Sequence, residues 1–75
     1  MDEHNIRLFQ KNEQDFVLLC KDGRAVQFRI VPGEGYHVVR RLDGVDFKPT
    51  GDGLRQEGWN CVGPGLEYSD LLETK

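Results

Sequence analysis

The chain is poor in the residues and runs that would narrow its chemistry. No stretch approaches the ~18 apolar residues of a membrane span. The opening residues, MDEHNIRLF, are acidic and lack the apolar core of a secretory signal. Cysteine occurs only at Cys20 and Cys61, whereas a small secreted scaffold held by disulfides carries roughly four to eight. Two free thiols in a reducing compartment, and a cytoplasmic chain or a domain expressed alone, are therefore expected. There is no Ser, Gln or Pro tract of the kind that keeps a chain disordered. Nor does any window of a dozen residues lack a turn signal, which excludes a helical bundle.

What is present describes a small folded domain. The 75 residues are 37% hydrophobic and 31% charged, with a formal charge of -3. A chain this short buries only about 60% of the surface its unfolded form exposes, so there is little core to spare for a deep cleft. The charge is uneven along the chain. Residues 1–20 carry -2, residues 21–55 carry +2 and residues 56–75 carry -3. An acidic total argues against nucleic-acid or membrane binding through bulk electrostatics, while the middle keeps a local basic character.

The strongest local signal is FVLLCKDGRAVQFRIV, residues 16–31. Asp22-Gly23 suits a two-residue hairpin turn with positive φ, and strand formers flank it on both sides. That turn predicts Lys21 opposite Arg24, Leu19 opposite Val26, Val17 opposite Phe28 and Phe16 opposite Arg29. One face then shows Val17, Leu19, Val26, Phe28 and Ile30; the other shows Phe16, Leu18, Cys20, Ala25, Gln27 and Arg29. Pro32-Gly33-Glu34-Gly35 reverses the chain into a strand over 36–42. Asp43-Gly44 predicts a further hairpin to Val45–Lys48, with Leu42 facing Val45, Arg41 facing Asp46 and Arg40 facing Phe47. Residues 6–10 complete a five-strand meander.

The expected fold is all-β or mainly β: a five- to six-stranded antiparallel meander, curled into a half-open barrel of SH3-like or OB-like size. A single domain spans residues 1–75, with the meander over 1–49 and a closing strand and tail over 50–75. TGDG, residues 50–53, reads as a loop, 54–62 as a sixth strand broken by Gly63-Pro64-Gly65, and the tail as a short turn or helix. In the closing strand, Trp59 and Cys61 point to one face, Asn60 and Val62 to the other.

Chemistry is thinly represented. His4, Cys20, His37 and Cys61 make a Cys2His2 set by count, but none is spaced as zinc ligands are, and no metal or other cofactor is expected. Cys61 with His37 and Asp46 is conceivable as a nucleophile, base and orienting acid, but lacks any supporting motif; Ser69, the one serine, lies near the end of the chain. PGEGYHVV has a Gly-x-Gly, yet β-branched residues follow where a phosphate site needs a helix. No catalytic residues are assigned and the chain is expected not to be an enzyme. DFVLLCKDGRAVQF, fourteen residues, resembles the hairpin in blades of the DNA-wrapping C-terminal domain of the gyrase A protein, but carries no residue role across.

Two functional expectations remain. The first is a protein-interaction module, a small regulator, inhibitor or accessory subunit, of the kind phages and mobile elements encode. It would bind another protein, or itself as a homodimer, through a sheet edge or a patch of Trp59, Leu66 and Tyr68. The second is a nucleic-acid-binding barrel using the basic and aromatic middle: Phe16, Arg29, Tyr36, Arg40, Arg41 and Phe47.

Overall fold

The computed structural model describes residues 6–44 and 49–73. It is mainly β, with five antiparallel strands in one open sheet. The strands are β1 (Ile6–Gln10), β2 (Asp15–Cys20), β3 (Ala25–Val31), β4 (Gly35–Arg41) and β5 (Asn60–Pro64), in the order β4-β3-β2-β1-β5. The first four follow one another as a meander. β5 then crosses to the far side and pairs with β1, which leaves β4 and β5 as the two edges among the described residues.

The first hairpin differs from the expected register by one residue. Leu18 pairs with Val26, Phe16 with Phe28 and Asp15 with Arg29. The loop is three residues long: the Gly23 amide donates to the Cys20 carbonyl at 2.9 Å, the Cys20 amide donates to the Arg24 carbonyl at 2.8 Å, and Gly23 has φ +103. This is the three-residue hairpin in which a left-handed glycine closes the turn. Because side chains alternate, the slip exchanges the faces of β3 relative to β2. It brings Phe16 onto Phe28, with ring centroids 5.7 Å apart, and Asp15 to within 2.8 Å of Arg29. The two-residue register would instead have set two like charges, Lys21 and Arg24, opposite each other. The second reversal holds as read: Glu34 donates to the Val31 carbonyl at 3.0 Å and Gly33 has φ +84, the left-handed third position of a Pro-Gly turn. The expected Val45–Lys48 strand and its pairs, Phe47 included, lie outside the described residues.

Both faces of the sheet are apolar, and each has its own cover. On one, Ile6, Leu8, Phe16, Leu18, Val26 and Phe28 pack under Leu71 and Leu72 of a C-terminal 3-10 helix, Leu66–Glu73. On the other, Phe9, Val17, Leu19 and Ala25 pack under Leu54 and Trp59. Two short helical segments thus do what barrel curling was expected to do, and the sheet stays open.

The sixth strand expected over 54–62 is replaced by a helix and a shorter strand. Helix α1 spans Gly51–Gln56, and TGDG is its beginning rather than a loop. Thr50 is the N-cap, its Oγ1 accepting from the Gly53 amide at 3.1 Å. Pro49 and Leu54, both buried, stand at the spacing of a hydrophobic staple. At the other end Gly58, with φ +101, donates to the Arg55 carbonyl at 3.1 Å, and Trp59 donates to the Leu54 carbonyl at 3.0 Å. That bond pair is a Schellman ending, with its usual apolar contact between Leu54 and Trp59. β5 begins at the next residue and runs through Pro64, so Gly63-Pro64-Gly65 does not break it.

Candidate functional site

Trp59 is 6% exposed, so this indole is a core group that closes one face of the sheet. The Schellman turn aims it inward, and Lys11 lies over it with the ammonium 4.9 Å from the ring centroid. Tyr68 packs against the other face, 5.2 Å from Phe28 and 5.7 Å from Tyr36 between ring centroids. Burial pushes its phenol above the ordinary tyrosine range. Leu66 is 38% exposed at the start of the 3-10 helix. The expected patch of Trp59, Leu66 and Tyr68 is therefore not assembled: its two aromatic members lie on opposite sides of the sheet.

The basic and aromatic platform is also dispersed. Phe16 is buried at 8%. Arg29 forms an ion pair with Asp15, which holds the Asp15 carboxyl below its usual value, with Asn12 donating a second hydrogen bond. Arg41 donates to the Leu72 carbonyl at 3.0 Å and pairs with Asp43 at 3.3 Å. Of the described members, Tyr36 and Arg40 stay exposed without an ion pair, both on β4.

The catalytic and metal readings gain no geometry. Cys61 lies on β5 and His37 on β4, at the two ends of the sheet order. Four strand spacings separate those edges, about 19 Å, too far for a base to reach a nucleophile. Asp46 and His4 lie outside the described residues. Cys20 is buried and Cys61 exposed, and among the described residues no three His, Cys, Asp or Glu side chains cluster as a metal site would require. No helix among them is long and apolar enough to cross a membrane.

What the fold does assemble is an edge and, beside it, a cavity. Every side chain of β4 from Tyr36 to Arg40 is exposed, including Tyr36 at 48%, Val38 at 38% and Val39 at 49%. The strand is seven residues long, has no proline, and presents one side to β3 only. The other edge, β5, is shorter, contains Pro64 and is interrupted by a bulge opposite Leu8 and Phe9. Prolines and bulges are the devices that discourage a strand from accepting another. β4 has a bulge of its own opposite Gln27 and Phe28, yet pairs regularly from Gly35 to Val38.

Register fixes which β4 side chains share a face. Arg40 pairs with Gln27 and His37 with Arg29, so these four face the α1 side; Tyr36 pairs with Ile30 and Val38 with Phe28, facing the 3-10 helix. Beside Arg40 opens a cavity of about 270 Å³, with Lys11, Gln27, Arg40 and Glu57 as its polar lining and Leu54 and Trp59 among its apolar walls. β4 was legible as a strand, and a sheet edge was one of two binding modes expected, but β4 was expected to pair with a strand over 45–48, which lies outside the described residues. The cavity was not legible, because α1 and Trp59, which wall it, were read as a strand.

No protein-family model matches the chain, and neither curated proteins nor solved structures give a match. A functional reading therefore rests on the edge and its surroundings.

Proposed function

We propose that this chain is a non-enzymatic protein-interaction module, a small regulator, inhibitor or accessory subunit, that engages its partner by strand addition at β4. The observation that carries the reading is the exposure of β4: a seven-residue strand with Tyr36, Val38 and Val39 outward and one side unpaired among the described residues. A strand edge of this kind offers main-chain hydrogen bonds for affinity and alternating side chains for selectivity. The exposed valines add apolar area that a lone monomer has no structural use for. Nucleic acid is the weaker reading, because three of the five described platform residues are buried or committed to carboxylate and carbonyl partners.

The test is comparative capture. Tagged wild-type protein and a Val38→Glu/Val39→Glu variant are used as baits in the native host lysate, with circular dichroism to verify that both fold. Proteins retained by the wild type and lost with the variant are the expected result. Light scattering of both proteins decides whether the partner is a second copy. Equal capture by the two baits, with no change in self-association, overturns the β4 assignment. Single-stranded nucleic acid bound in a steeply salt-dependent manner would replace the protein reading with the nucleic-acid one.

A further inference from the structure

We infer that the cavity beside β4 is a carboxylate pocket, occupied by an acidic side chain of an extended partner segment added to β4. This rests on the strand-addition reading and names the chemistry of the partner.

Among the described residues two cations and one carboxylate line the cavity, Lys11, Arg40 and Glu57, and the formal balance of these three is +1. The Lys11 ammonium sits over the Trp59 ring. Among the described residues Arg40 and Glu57 form no ion pair, and the Gln27 amide beside Arg40 makes no side-chain hydrogen bond. These are polar groups around an apolar wall with capacity left over. One carboxylate brings that described balance to zero, whereas a phosphate dianion would exceed it. Arg40 can receive a carboxylate through two parallel N–H bonds, and the Gln27 amide can donate a third.

Size points the same way. A volume of about 270 Å³ lies below the ~300–1,000 Å³ of ordinary small-molecule sites. That is ample room for a side-chain carboxylate. Position supplies the source. A strand paired with β4 would lie about 4.8 Å outside it, with the side chain opposite Arg40 on the same face and its Cβ about 5 Å away, at the mouth of the cavity. Charge is complementary as well: β4 carries the exposed Arg40 and no acid, which an acidic strand complements.

The test uses a capped seven-residue peptide alternating valine and glutamate, its valine–glutamine counterpart, and free glutarate, titrated into isotopically labelled protein and followed by NMR. The glutamate peptide should shift the β4 amides and the Trp59 indole N–H together. Arg40→Gln or Lys11→Gln should weaken it about tenfold and abolish the indole shift while the fold, read from the remaining amides, is unchanged. Equal binding of the glutamate and glutamine peptides, or an Arg40→Gln protein that binds as wild type does, overturns the pocket and leaves strand addition standing. An indole shift with glutarate at the same concentration as with peptide overturns the strand as the source of the carboxylate. Absence of β4 shifts with both peptides overturns the strand-addition reading itself.

Discussion

Replacing Trp59 by alanine tests the claim that the single tryptophan closes a core face. The side chain is 6% exposed and shares its cluster with Phe9, Val17, Leu19, Ala25 and Leu54. Truncating a buried Trp to Ala costs about 3–5 kcal/mol, the lost transfer free energy plus the void left behind. Loss of the Lys11 contact over the ring adds about 0.5–1 kcal/mol. A domain of this length has on the order of 4–11 kcal/mol of total stability at ~0.05–0.15 kcal/mol per residue. The variant should therefore lose about half of its stability or more. In urea, with a slope of about 1 kcal/mol per molar for so small a domain, the midpoint should fall by roughly 3–5 M. Far-UV circular dichroism is the assay, since the substitution removes the fluorophore. Trp59→Phe keeps a ring in place and should lose only about 1–2 kcal/mol, which keeps the test informative if the alanine variant does not fold. In the wild type, emission should be blue-shifted and resistant to acrylamide. An alanine variant within about 0.5 kcal/mol of wild type, the range of ordinary surface substitutions, or a red-shifted and freely quenched indole, would refute the assignment.

Substitutions at three further positions probe how the cover segments and the first hairpin are held. Gly58→Ala puts a side chain at φ +101 in the Schellman turn, so urea unfolding should register a loss of about 1–2 kcal/mol, and a smaller loss for Gly58→Asn. Gly65 is buried where a Cβ would collide with Leu18 Cδ1 and press on Leu8; Gly65→Ala should lower stability by about 1–3 kcal/mol, and an unchanged melting temperature would show that the segment after β5 does not dock there. For Asp15, the Arg29 hydrogen bond and then that from Asn12 hold the folded-state pKa below 3.8. A depressed carboxylate stabilises the fold above its unfolded value and loses that contribution as pH falls through the folded value. Asp15→Asn should cost up to about 1 kcal/mol at neutral pH, the partner Arg being solvent-screened, and the difference should shrink as pH falls through the folded-state value; a difference independent of pH would contradict the pairing.

The parts of the fold that the sequence made legible are those decided by local chemistry. Pro32-Gly33 specifies its turn, because proline presets one backbone angle and only glycine readily takes the next; the strands on either side follow from their β-branched content. Asp22-Gly23 was less decisive for a physical reason. The glycine needs positive φ both in a two-residue loop and as the last residue of a three-residue loop, so the dipeptide marks the reversal without fixing the register. What fixes it lies across the sheet: Phe16 against Phe28, Asp15 against Arg29, and Cys20 under the 3-10 helix. The helix at Gly51–Gln56 was hidden for the opposite reason. Its two glycines are poor helix formers, and its stability comes from the Thr50 cap, the Gly58 ending and the burial of Leu54.

The same contrast explains why the candidate site was only half visible. The β4 strand itself is a property of one segment, and YHVVRRL shows it through its β-branched residues; its place at an edge is not, since that depends on what pairs beside it. The cavity needs four segments to meet: Lys11 after β1, Gln27 on β3, its partner Arg40 on β4, and Trp59 delivered by a helix ending. No spacing in the chain encodes that meeting. It arises because an apolar sheet with two faces must cover both, and among the described residues the cover on one side is Leu54 of a six-residue helix, one indole and the half-buried Leu42. Among those residues so small a cover stops short of Arg40, so the thinness of the core and the presence of a cavity beside the edge have one cause. Enlarging the cover should therefore close the site: Gln27→Leu, on the face beneath the cavity, should raise thermal stability modestly, by about 0.5–1 kcal/mol for added buried methylenes, while reducing binding of an acidic strand to Arg40. Stabilisation with undiminished binding would show that the cavity and the edge act independently.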